Sequence, residues 1–281
     1  MRTIALSVYV LVASMAMTDL AMAQADTPKG EIKGTAFVHS AQSAKDVMLN
    51  ASVGLPEAVT HGPAYFGPWK DMPRTAGDPV PVVVFLHGSS GLSLKAIGEW
   101  QKWLSSLGIA SVAPDSFALA DRVTYTSPIA KDIYERIHAL RSSEIPLAAA
   151  ALKGAAWADQ SRIVLAGASE GGPAVARNDG SEFAARIIYA WSCEDNYFVD
   201  AHGTRVIVEQ PVLNVISATD PFFSRSNAWL GNTSANGHCA AALREAKHAT
   251  VVLVPQAPHT LINLPQARAV TRSFLEDALK R

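Results

Sequence analysis

The stretch RIVLAGASEGG, residues 162 to 172, decides how this chain is read. A branched apolar run ends at Gly167; Ser169 follows between small residues, and Gly171 and Gly172 come next. Such a run reads as a strand buried on both faces, as in parallel sheets covered by helices. The G-x-S-x-G pattern that closes it is short, and many serine-bearing turns match it. Its weight depends on the other strand ends. A serine nucleophile needs a base to take its proton and an acid to orient that base.

The chain has 281 residues, about half of them apolar, enough for one domain with a sizeable core. Its 24 basic and 25 acidic side chains leave a formal net charge of −1, which gives no reason to expect nucleic acid or an anionic membrane as partner. Residues 1–25 read as a signal peptide. Arg2 precedes the apolar IALSVYVLVASMAM, and AMAQAD offers cleavage after Ala23 or Ala25. Asp19 interrupts the apolar run, which is too short to span a bilayer. The mature chain, 26–281, is therefore expected to be exported, periplasmic or secreted, with no stable membrane insertion. In that setting the two cysteines, Cys193 and Cys239, are expected to pair; two unpaired buried thiols are the alternative.

Residues 26–77 show a weak pattern and read as a less regular N-terminal extension, with one outlying strand in IKGTAFVHS. After that, strands are expected at 81–88, 109–114, 162–167, 186–191, 211–218 and 249–255. Helical stretches fall between several of them. Residues 128–157 read as two helices or one kinked by Pro146, and an amphipathic helix closes the chain. This alternation predicts an α/β fold: a mostly parallel central sheet covered by helices on both faces. Ligands in such sheets sit beyond the carboxyl ends of the strands.

Ser169 stands at such an end, at the start of a helix. His259, in PQAPHTLI, follows the last expected strand, and Asp220, in ISATDPFF, follows the one before it. The candidate catalytic set is Ser169, Asp220 and His259, in that chain order. The N–H groups of Glu170 and Ser89 are the candidate donors to a developing oxyanion. His87 and Gly88 read as the tight exit from the 81–88 strand, and Ser90 and Gly91 as loop formers.

With HGSSG at 87–91, DSF at 115–117, GASEGG at 167–172, Asp220 after a strand and PHTL at 258–261, the chain resembles the α/β-hydrolases of the dienelactone-hydrolase-like group. The resemblance covers roughly residues 78–279. It implies the α/β-hydrolase fold, a covalent acyl-enzyme mechanism and no cofactor. Dienelactone hydrolases use a cysteine nucleophile. Ser169 in that place makes the chain look more like their serine-dependent carboxylesterase relatives, acting on a small-molecule or polymeric ester. An amidase, exopeptidase or lactonase using the same groups, or a non-catalytic binding protein on the same scaffold, are the alternatives.

Several residues compete for roles. Asp195, with Glu194 and Asp200 nearby, is the rival to Asp220 as the acid. Glu170 is expected simply to flank the following helix, where negative charge is favourable; the sharper alternative is that it holds Arg141 or Arg177. His202, Asp200, His238 and Cys239 match no compact metal pattern, so no metal is expected. Tyr125, Trp191, Tyr197, Phe222 and Trp229 are the candidate pocket aromatics.

Overall fold

The computed structural model describes residues 28–200 and 202–280; the expected signal peptide lies outside them. In chain order the elements are β1 (Ile32–Lys33), α1 (Ala41–Leu49), β2 (Ser52–Leu55), α2 (Glu57–Thr60), β3 (Tyr65–Pro68), β4 (Val80–Leu86), α3 (Lys95–Ser106) and β5 (Ala110–Ala113). They continue with β6 (Thr124–Tyr125), α4 (Lys131–Lys153), β7 (Ala158–Ala168), α5 (Gly171–Arg177), β8 (Ala185–Tyr189), β9 (Val212–Ser217), β10 (Ala249–Val254) and α6 (Pro265–Ala278).

Eight strands form one sheet in the order β10-β9-β8-β7-β4-β5-β2-β3. Neighbours from β10 to β5 are parallel; β2 and β3 add antiparallel at the far edge. The unbroken apolar runs follow from burial on both sides. Along β4, Val82, Val84 and Leu86 face the layer of α1, α4 and α5, while Val83 and Phe85 face α3 and α6. β8 and β9 are buried throughout, whereas β10, at the edge, is half exposed. This is the α/β-hydrolase fold.

One expectation is extended, and another is decided between its two alternatives. The less regular segment before residue 77 also adds to the sheet: Val53 and Leu55 of β2 are fully buried, and β2 pairs with β5. Short strands containing glycine and proline, such as SVGL and YFGP, carry too little periodicity to be read in advance. The interrupted stretch 128–157 is one helix, α4, with Pro146 in its interior, so the Ser142 carbonyl lacks its helical donor.

The expected outlying strand is β1, which pairs with β6 in a separate ribbon. The Gly30 N–H bonds the Pro128 carbonyl at 2.9 Å, and Thr35 and Ala36 bond the Asp121 carbonyl. This N-terminal segment thereby braces the loop that carries Tyr125. No helix among the described residues is long and apolar enough to cross a membrane.

Candidate active site

Ser169 directly follows β7 with φ of 53°, in the left-handed region that β-carbons disfavour. Such a conformation costs on the order of 1–3 kcal/mol and persists only where the surroundings impose it. Here its N–H donates to the Tyr189 carbonyl (3.1 Å), and its carbonyl accepts from the Gly172 N–H (2.8 Å). The flanking glycines answer a different need, close approach. A Cβ on Gly167 would lie 2.6 Å from the Gly171 carbonyl oxygen, and one on Gly171 would lie 2.2 Å from that of Leu86.

Asp220 lies just past β9 and is fully buried. Its Oδ1 accepts the N–H groups of Phe222 (2.9 Å) and Phe223 (3.0 Å), which offset the cost of burying the carboxylate. Its Oδ2 accepts from His259 Nδ1 at 2.8 Å. His259 sits on the loop after β10, which the Ser217 hydroxyl ties to β9 through the Ala257 carbonyl (2.7 Å). Phe222 packs edge-on against the imidazole at 4.7 Å. With Nδ1 donating to the carboxylate, Nε2 is the nitrogen that can accept a proton.

A cavity of about 310 Å³ opens beyond the strand ends, and Ser169, His259, Gly88 and Ser89 all line it. Of the expected aromatics, Tyr125, Tyr197 and Phe222 are on its wall. Trp191 lies beneath, over Gly172, with its ring 4.9 Å from Phe223. Trp229 stands behind Tyr197, with ring centroids 4.6 Å apart. Phe198, Phe223 and Ser127 line the cavity and were not foreseen. No Asp, Glu, Lys or Arg lines it among the described residues. Burial and the Glu170 carboxylate push the Tyr125 phenol well above its ordinary value, so it stays protonated.

Glu170 does not simply flank a helix. Its side chain has no exposure and accepts from Arg122 Nη2 at 2.5 Å, with Arg141 Nε 3.8 Å away. A buried carboxylate needs such partners, and this need outweighs any favourable placement at a helix start. Arg177 instead pairs with Glu135. His87 is also fully buried, with Nε2 accepting from Ser116 N–H and Arg141 Nη1, both at 3.2 Å. Burial and the Arg141 charge hold its pKa well below the ordinary histidine value. The side chain of Asp195 is 56% exposed and pairs with Lys131 at 3.5 Å, away from His259.

Cys193 and Cys239 form a disulfide. Beside it the Cys239 N–H donates to Asn214 Oδ1 (3.0 Å), and Asn214 Nδ2 donates to the carbonyls of Ile188 and Trp191 (3.0 Å each). The long excursion between β9 and β10 is thus fastened to the sheet end beneath Phe223. The bond closes a span of 46 positions, for which loop entropy allows about 4 kcal/mol. C193S/C239S is expected to lower the melting temperature by on the order of 10 °C. An unchanged melting temperature in calorimetry would show that the excursion is held without it. Among the described residues no group of three or more His, Cys, Asp and Glu could hold a metal ion.

Solved structures of similar fold include a Klebsiella pneumoniae subsp. pneumoniae MGH 78578 protein described as a dienelactone hydrolase, at 18% identity and TM-score 0.52, covering 74% of this chain and 90% of that one. A cold-adapted esterase from an Arctic intertidal metagenomic library matches at 15% identity and TM-score 0.51, over 82% and 95% of the two chains. Est1E from Butyrivibrio proteoclasticus with ferulic acid bound matches at 16% and 0.50, over 82% and 94%. At these identities the likeness is one of fold. No protein-family model matches the chain, and no curated protein matches it by sequence.

Proposed function

We propose that this chain is a serine hydrolase of uncharged carboxylic esters, acting through Ser169, His259 and Asp220. The observation that carries the reading is the 2.8 Å bond from His259 Nδ1 to a fully buried, doubly capped Asp220, in a cavity shared with a left-handed Ser169. Ser169 Oγ attacks the ester carbonyl carbon as its proton passes to His259 Nε2. The carbonyl π pair becomes an oxyanion received by the N–H groups of Glu170 and Ser89. The tetrahedral adduct collapses, and the departing alkoxide takes the proton from Nε2. Water, deprotonated by the same nitrogen, then attacks the acyl-enzyme, and Nε2 returns that proton to Ser169 Oγ as the acid is released. The group needs no cofactor to run this cycle.

An exopeptidase would need a charged group to receive a substrate terminus, and Glu170 is a candidate for it. It is engaged by Arg122 and is not on the cavity wall. The disulfide supports the export expected from residues 1–25. Labelling with a fluorophosphonate, followed by peptide mass mapping, tests the assignment: an adduct on Ser169 is expected, and an unlabelled folded protein would leave a binding protein.

The cavity wall also predicts selectivity. With no cation to receive it, an acyl carboxylate would be desolvated without a partner. Ethyl butyrate should therefore exceed monoethyl succinate in kcat/KM by about 100-fold, equivalent to about 3 kcal/mol. Equal values in a titrimetric assay would contradict an uncharged-ester site.

A further inference from the structure

We propose that Arg141 is a positioning residue that fixes both oxyanion donors at once, acting on the Ser89 N–H through His87 and on the Glu170 N–H through the Glu170 carboxylate. The inference rests on the hydrolase reading above and assigns work to buried groups which that reading leaves idle.

The first arm is a chain of hydrogen bonds. Arg141 Nη1 donates to His87 Nε2 (3.2 Å), and Nη2 donates to the His87 carbonyl (3.1 Å), so one guanidinium grips the residue at both ends. The Ser116 N–H also donates to Nε2 (3.2 Å). Two donors on Nε2 leave the proton on Nδ1, and Nδ1 donates to the Gly88 carbonyl at 2.7 Å. The Gly88–Ser89 peptide is planar and trans, so the Ser89 N–H points opposite to that carbonyl. Pinning the carbonyl therefore sets the direction of the donor. Gly91 N–H adds a second hold on the same oxygen at 3.1 Å.

The second arm is ionic. Arg141 Nε lies 3.8 Å from Glu170 Oε1, the oxygen that also receives Arg122 Nη2. Arg122 in turn is anchored by Nε to the Ser116 hydroxyl (2.8 Å) and by Nη1 to the Val123 carbonyl (2.8 Å). Glu144, 3.2 Å from Arg141 Nη1, balances the remaining charge. Glu170 is the residue after the nucleophile, so holding its side chain holds the peptide whose N–H is the other donor. Two arginines and two glutamates are buried here. Apolar side chains of similar volume would often serve stability as well or better. The task assigned to the ionic set here is therefore to fix geometry.

Two substitutions at His87 separate orientation from packing. An asparagine amide nitrogen falls near the position of Nδ1 and can still hold the Gly88 carbonyl; a glutamine oxygen falls near Nε2 and keeps only the Arg141 side. H87Q is expected to lower kcat/KM by about 10²-fold, the scale of losing one oxyanion donor, with KM little changed. The inhibition constant of a trifluoromethyl ketone, which forms an oxyanion on Ser169, should rise in proportion. H87N should recover at least about tenfold over H87Q on both measures. R141K, which keeps the charge and loses the fork, should resemble H87Q. Equal behaviour of H87N and H87Q, or a change in KM without a change in the inhibitor constant, overturns the positioning role while wild-type turnover stands. Absence of wild-type ester turnover removes both readings. Wild-type kcat/KM and inhibitor constant in R141K overturn the role given to Arg141, and R141Q is read the same way if R141K does not fold.

Discussion

Ser169→Ala is expected to give a folded protein whose ester turnover has fallen by about 10⁶-fold, the scale seen when a serine nucleophile is removed from an intact triad. The fold should survive because nothing in the elbow depends on the hydroxyl. Its left-handed backbone is held by main-chain bonds to Tyr189 and Gly172, and alanine carries the same Cβ. The glycines around it cannot be exchanged so freely, since a Cβ on Gly171 would meet the Leu86 carbonyl at 2.2 Å. Turnover and melting temperature measured on the same preparation separate the two effects. Wild-type turnover in S169A, or a phosphonyl adduct on another residue of the native chain, would move the nucleophile elsewhere.

Asp220→Asn is expected to cost about 10⁴-fold in kcat. The two N–H groups of Phe222 and Phe223 already take Oδ1, so an asparagine keeps its oxygen there and turns its amide nitrogen towards His259. Nδ1 then faces a donor and must act as the acceptor. The proton is left on Nε2, the nitrogen that has to take it from Ser169. Asp195→Asn should change kcat by less than about threefold, because that carboxylate is largely exposed and its surface pair with Lys131 is worth at most about 1 kcal/mol. The opposite ranking of the two variants would place the acid after β8 instead of β9.

What could be read from the sequence was whatever burial writes into local pattern. A strand covered on both faces is apolar along most of its length. Thus VVVFL, IVLA and VLNVIS were visible as sheet strands, with Ser169, Asp220 and His259 standing just beyond three ends of the parallel sheet. Chain order then matched the nucleophile, acid and base proposed for them. Tertiary structure decided the rest, because its signals are spread along the chain. Glu170 meets Arg122 across 48 positions and His87 meets Arg141 across 54. No window of sequence contains either pair. The same holds for the cavity wall, where Phe198 and Phe223 line the pocket while Trp191 and Trp229 stand behind it. An aromatic residue after a strand is equally at home in core or pocket, and the paths of the two loops joined by Cys193 and Cys239 sort one from the other. The strands β2 and β3 were hidden for the opposite reason. They are short and glycine- or proline-bearing, and they gain their order from pairing with β5 and with each other, a long-range effect that leaves little trace in local pattern.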